Sequence, residues 1–373
     1  MTKFNNLQMK FCFRADASLY IGSGHVIRCL TIADALNKHG HKSYFICRQH
    51  QGNLIAFVRE RGYTVYVLPE PTLNNSDILS EYQRWLGVTE QQDAQETLEI
   101  LKEHTVDWMI VDHYGLSVIW QQSIRQQVKR IVAIDDLANR SHDADIILDC
   151  GLANTSSDYA KLNKRKGLYL TGPNYALLRP EFREQRLWLE QHPKVYNHEK
   201  LRILVNLGGI DKDNLTNTVL QTLLNGSQLK YLSVTVVMGV NAPSKDLILE
   251  QSKKLPFINK VLINANNMAE LMVEHDLAIG AAGSTAWERC CLGLPTIMIC
   301  MADNQKMIAK DLHDLGVAIS LEQAEINKKL LQALQQLDQE RLKRMSQQAL
   351  NVTNGLGVDL LLQIMFSEEF NAC

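Results

Sequence analysis

The sequence predicts an α/β protein built of two doubly wound parallel sheets, each covered on both faces by helices. Three observations lead there. Short apolar runs alternate with helix-patterned stretches along nearly the whole chain. Its 373 residues are long for one domain and comfortable for two. A polar stretch, Glu184–Lys200, rich in Glu, Gln, His and Lys and carrying Pro193, breaks the alternation midway.

In chain order, the first-half strands are expected at Phe11–Phe13, Ser43–Cys47, Thr64–Leu68, Trp108–Val111, Arg130–Ile134 and Ile146–Leu148. The second half supplies Arg202–Val205, Ser233–Val237, Lys260–Ile263, Leu277–Ile279, Thr296–Cys300 and Val317–Ile319. Between them, apolar residues recur every three or four positions, as Val26, Cys29, Leu30, Ala33 and Leu36 do. The domains are therefore placed at 1–198 and 199–373, with a ligand cleft expected between them. A last helix, Gly357–Phe366, follows the turn Asn354-Gly355 and is expected to pack back near the junction.

Composition narrows the class. Hydrophobic residues make 46% of the chain and charged ones 21%, as in ordinary soluble proteins. A formal charge of −2 leaves no footprint for nucleic acid or an anionic membrane. The start, Met1–Lys10, is polar and unlike a signal peptide, and no apolar run is long enough to span a bilayer. The eight cysteines lack disulfide or zinc spacing and read as small buried hydrophobes in a reducing cytosol, so a cytoplasmic location is expected.

In open parallel sheets ligands bind beyond the carboxyl ends of the strands, which turns position along a strand into a functional filter. Asp16, Asp112-His113-Tyr114, Asp135-Asp136 and Asp149 follow first-half strands. Asn206, Gly208, Gly209, Gly280–Thr285 and Asp303-Asn304-Gln305 follow second-half ones. Asp135-Asp136 and Asp149 equally suit turn or helix caps, and His113 a satisfied interior histidine. The loop Gly22-Ser23-Gly24-His25 joins the first strand to a helix, so its backbone suits an anion and its histidine a proton transfer near neutral pH. A dinucleotide fingerprint fails there, because Ile27 occupies the third glycine position and the second strand ends in Cys47-Arg48. Asp143-Ala144-Asp145 resembles a metal-binding DxD run but precedes a strand, so no metal or other cofactor is expected. Gly280-Ala281-Ala282-Gly283-Ser284-Thr285 makes the better phosphate cradle, and Glu288 falls one turn after Ser284, placed to accept from ribose hydroxyls.

Phe13-Arg14-Ala15-Asp16, Ile21 through Arg28, Asp112-His113-Tyr114-Gly115, Asp135-Asp136, Tyr175 through Phe182 and Asn304-Gln305 together resemble the UDP-sugar hydrolases of pseudaminic acid biosynthesis. The likeness runs from about residue 10 to 315. That family hydrolyses UDP-2,4-diacetamido-2,4,6-trideoxy-β-L-altropyranose to UDP and the free sugar. It is similar to the metal-independent GT-B glycosyltransferases with two Rossmann-like domains, MurG among them. The resemblance implies that His25 is the base activating water at the anomeric carbon. It implies that Ser284, Thr285 and Glu288 hold the nucleotide and that Asn304 and Gln305 lie near diphosphate and sugar; Gly208 and Gly283 are expected among the substrate-binding residues, with the backbone groups that touch phosphate left open. Asp16, Gly22, Ser23, Gly24, Tyr114 and Arg179 would face the sugar. The expected partner is thus a small UDP-linked sugar. A hydrolysing UDP-N-acetylhexosamine 2-epimerase, a glycosyltransferase and a non-catalytic UDP-sugar sensor are the alternatives.

Overall fold

The computed structural model describes residues 8–72, 80–196, 199–226 and 231–367, together with Phe370. The first seven residues of the polar start, and Asn197-His198 at the expected boundary, lie outside them. Packing divides the chain into unit 1, Met1–Leu177 with Leu356–Cys373, and unit 2, Leu178–Gly355.

Unit 1 runs β1 (Lys10–Ala15), α1 (Gly24–Lys38), β2 (Lys42–Arg48), α2 (Ile55–Glu60), β3 (Thr64–Leu68), α3 (Glu81–Leu86) and α4 (Glu90–Leu101). It continues through β4 (Val106–Asp112), α5 (Val118–Ile124), β5 (Val128–Ile134), β6 (Ile146–Asp149), α6 (Ser156–Leu162) and β7 (Leu168–Thr171). The seven strands lie in the order β3-β2-β1-β4-β5-β6-β7, and every pairing is parallel. Alternation along β1 sends Phe11, Phe13 and Ala15 to one core and Cys12 to the other. On α1, Val26, Cys29, Leu30, Ala33 and Leu36 cover the first of these cores. Gly87, left-handed at φ 75°, stops α3, which a Ser80–Gln83 capping box starts.

Unit 2 contains α7 (Pro180–Gln191), β8 (Leu201–Asn206), α8 (Leu215–Leu224), β9 (Leu232–Met238), α9 (Lys245–Ser252), β10 (Ile258–Ile263) and α10 (Met268–Glu274). Then follow β11 (Leu277–Ala281), α11 (Thr285–Cys291), β12 (Thr296–Cys300), α12 (Lys306–Asp314), β13 (Ala318–Glu322), α13 (Ile326–Gln335) and α14 (Gln339–Leu350). Its sheet, also parallel throughout, has the order β10-β9-β8-β11-β12-β13. The chain then returns to unit 1 as α15 (Gly357–Met365), whose Val358, Leu361, Leu362 and Met365 join the core beneath α1.

Three details depart from the sequence reading. The units divide at 177/178 rather than at 198/199, because α7 packs on α10 and α11 and Arg186 donates to the carbonyls of Cys291 and Leu350. A strand absent from the expected set, β7, adds four residues at the edge of the first sheet. β5 passes to β6 through the loop 135–145 without a helix. In both sheets the order turns back beside the first strand of the unit, at β1/β4 and at β8/β11, which places the two ligand-binding crevices of such folds.

Candidate active site

In unit 1 the loop after β1 is closed by Ser18. Its hydroxyl accepts from the N–H groups of Tyr20 and Ile21 at 3.1 and 3.0 Å, and its carbonyl from Gly22 at 2.9 Å. Gly22 takes φ 79°, a left-handed conformation that a side chain resists, and this reverses the chain into α1. Ser23 stands at the helix N-cap without a side-chain bond, and Gly24 is the first helical residue.

His25 follows, 7% exposed. Its Nδ1 lies 2.6 Å from Oδ1 of Asp112, the last residue of β4. An ionised carboxylate only accepts, so Nδ1 carries the hydrogen, and in the neutral ring Nε2 keeps its lone pair. Nε2 has no hydrogen-bond partner among the described residues. Arg28, one turn along α1, forks onto the same carboxylate, with Nη2 2.6 Å from Oδ1 and Nε on Oδ2. Burial opposes the charge on Asp112, but Arg28 and His25 outweigh it and hold the carboxyl well below the usual range. The His25 ring meets Tyr114 edge-on at 4.9 Å and Trp85 at 6.1 Å. Burial raises the Tyr114 phenol well above its ordinary value, and the neighbouring Asp136 carboxylate raises it further.

Asp16 belongs to a second, interior cluster. It is fully buried, and its Oδ1 accepts from Arg14 Nη1 and the Arg48 N–H, both at 2.7 Å. Arg14 and Arg48 in turn grip Asp93. Burial opposes the charge on Asp16, yet Arg14, His50 and His113 hold its carboxyl well below the usual range. His113 accepts the Gly115 N–H at Nδ1, turns Nε2 toward Asp16 at 3.5 Å, and is pushed down to about 3 by burial. It is thus an interior neutral histidine. Asp135 pairs with Arg140 at 2.7 Å. Asp149, held by Gly151, Asn154 and Tyr159, is pushed up to about 6 by burial. Both DxD carboxylates are taken by arginine: Asp143 by Arg125, Asp145 by Arg125 and Arg165.

In unit 2, Asn206 ends β8 and donates to the Val237 carbonyl at 3.0 Å. Gly208, at φ 87°, turns the chain away from the sheet. Asp211 then caps α8, accepting from Leu215 and Thr216 N–H at 2.8 and 3.0 Å. That helix start is already neutralised by a carboxylate of the chain itself. At the start of α11 Ser284 makes no side-chain cap, and Glu288 lies in the first turn. Ala286 and Trp287 N–H close on the carbonyls of Gly283 and Ser284. Thr285 Oγ1 accepts from Arg289, a buried guanidinium that also donates to the Ala281 carbonyl at 2.6 Å. Gln305 fixes its Oε1 on the Met301 N–H at 3.0 Å, which brings its Nε2 beside Gly283. Asn304 stands half-buried in the same single turn. Glu288 lies 3.6 Å from Arg179, which also holds Glu181 at 3.0 Å. Burial pushes the Glu288 carboxyl above the ordinary glutamate value, and Arg179 pulls it back.

His25 and Tyr114 thus come together in unit 1, and Gly283 with Gln305 and Arg179 with Glu288 in unit 2. Two residues of the first group lacked a role in the sequence. Arg28 carries a signal, its three-residue spacing from His25 on one helix face. Asp112 carries a weaker one, the carboxyl end of a neighbouring strand.

The Glycosyltransferase family 28 C-terminal domain model matches residues 203–357. An uncharacterized protein of Methanocaldococcus jannaschii is 28% identical over 314 residues, which are 81% of this chain. The chain spans 59% of that relative's length. The UDP-2,4-diacetamido-2,4,6-trideoxy-β-L-altropyranose hydrolase of Campylobacter jejuni is 27% identical over 83% of this chain and 98% of its own. Among solved structures, MurG of Acinetobacter baumannii superposes with a TM-score of 0.65 at 15% identity, covering 96% of this chain and 99% of that one. The fold is GT-B.

Proposed function

We propose that this protein hydrolyses a UDP-linked sugar to UDP and the free sugar, with His25 as the general base. The observation that carries the reading is the 2.6 Å contact between His25 Nδ1 and Asp112, which fixes the tautomer with a basic Nε2. Nε2 takes a proton from water, the water oxygen bonds the anomeric carbon, and the bond from that carbon to the diphosphate oxygen breaks with its electrons going to UDP. Attack opposite the leaving group inverts the anomeric centre. Ser284, Thr285 and Glu288 hold the nucleotide, Gly208, Gly283, Asn304 and Gln305 lie along the diphosphate, and Gly22–Gly24, Tyr114 and Arg179 face the sugar. Asp16 acts from the interior, supporting the turn that carries His113 and Tyr114.

The substrate we propose is UDP-2,4-diacetamido-2,4,6-trideoxy-β-L-altropyranose. Support comes from the Campylobacter jejuni hydrolase, aligned over 98% of its length. The family 28 match favours a second reading, in which a sugar or lipid hydroxyl replaces water. One experiment separates them: incubate the chain with the UDP-sugar, without acceptor, and follow UDP. Steady UDP release is expected, and His25→Asn should lower it by about 10²–10⁴ while UDP binding changes no more than a few-fold. Full activity in the variant would remove His25 from the chemistry, and UDP release only with an added acceptor would favour the transferase.

A further inference from the structure

Arg28 stands between two carboxylates. Its guanidinium forks onto Asp112, and its Nη1 lies 3.6 Å from Oδ2 of Asp136. Its Nη2 is also 3.3 Å from His25 Nδ1. Asp136 in turn neighbours the Tyr114 phenol, whose ring packs edge-on against His25. The contacts run in a closed circuit, from His25 through Asp112, Arg28, Asp136 and Tyr114 back to His25.

We propose that Arg28 is a positioning residue that sets the charge around His25, leaving the circuit with a single negative charge while His25 is neutral and with none once it is protonated. The proposal rests on the reading of His25 as a base. Two unscreened carboxylates would hold an imidazolium too firmly to serve near neutral pH, and no carboxylate at all would leave the accepted proton unsupported. One arginine between two aspartates gives the intermediate condition.

The other groups that face His25 leave this count unchanged. From α1 comes the Cys29 thiol, 3.9 Å from Asp112, which burial keeps protonated. From the turn after β4 come Tyr114, with its phenol likewise kept neutral, and His113, neutral in the interior. From α3 come the rings of Trp85 and Tyr82, the latter through Tyr114. From the loop after β5, Arg140 lies over Tyr114 but is balanced by Asp135.

The test is an NMR titration of the His25 imidazole in the full, ligand-free chain, with its signal assigned by loss in His25→Asn. Removing the cation with Arg28→Gln should raise the midpoint by about one to three pH units, and Arg28→Lys should restore most of it. Asp136→Asn, which leaves Arg28 less neutralised, should move the midpoint down. Opposite signs are the signature, because a merely structural role would lower activity without ordering the midpoints. If Arg28→Gln does not fold, the sign in Asp136→Asn decides. Unmoved midpoints, or shifts of one sign in both variants, would overturn the proposal. The acid limb of kcat/KM should follow the same order. Ordered midpoints without UDP release would leave the inference standing and sink the hydrolase reading.

Discussion

An imidazole serves as a base only through a nitrogen that keeps its lone pair, and Asp112 decides which nitrogen that is. On the proposed reading, accepting from Nδ1 would leave Nε2 to water and stabilise the positive charge that follows proton transfer. An asparagine at 112 would present an amide that pairs equally well with the other tautomer, and it would leave Arg28 facing no charge there. Asp112→Asn should therefore lower kcat for UDP release by about 10²–10⁴, with UDP affinity held. Rate and calorimetric binding measured on the same preparation check this. A loss of affinity equal to the loss of rate would mean that Asp112 supports the fold rather than the base.

At the scale of elements, the site depends on how β1 hands the chain to α1. Gly22 makes the reversal at φ 79°, and open space surrounds the position of a Cβ, so strain and not collision opposes a side chain. Gly22→Ala should cost about 1 kcal/mol of stability in a denaturant titration. Its larger effect should be on kcat, because the turn aims the first residues of α1. A variant with unchanged kcat would detach the turn from the aim of His25. This loop was legible in the sequence because its parts are contiguous: an apolar strand, a glycine turn and a helix. Asp112 lies 87 residues from His25, and its place depends on β4 pairing with β1, which alternation of strands and helices leaves open. The same limit misjudged Asp16. The strand-end rule set it at the rim and the resemblance among residues facing the sugar, while Arg14, itself paired with Asp93 79 positions away, holds it inside. The edge strand β7 went unseen because four residues, three of them only half-buried, make too short a pattern.

At the scale of the molecule, the fold of unit 1 is discontinuous in sequence. α15 adds Val358, Leu361, Leu362 and Met365 to its core, and each such side chain contributes about 1.5–3 kcal/mol by burial. The sum is comparable with the whole stability of a domain, about 5–15 kcal/mol. A chain ending at Gly355 should therefore lose or strongly lower one calorimetric transition, that of unit 1, while the transition of unit 2 persists. Two unshifted transitions would show that α15 adds little to that core. The interleaving also bears on biosynthesis. Unit 2 occupies the unbroken stretch Leu178–Gly355, so the ribosome delivers everything it needs before α15 has been made. Synthesis usually lets the first domain fold first. Here the half that begins the chain completes its core only with residues added after the second half, so on that expectation the region around His25 is finished last.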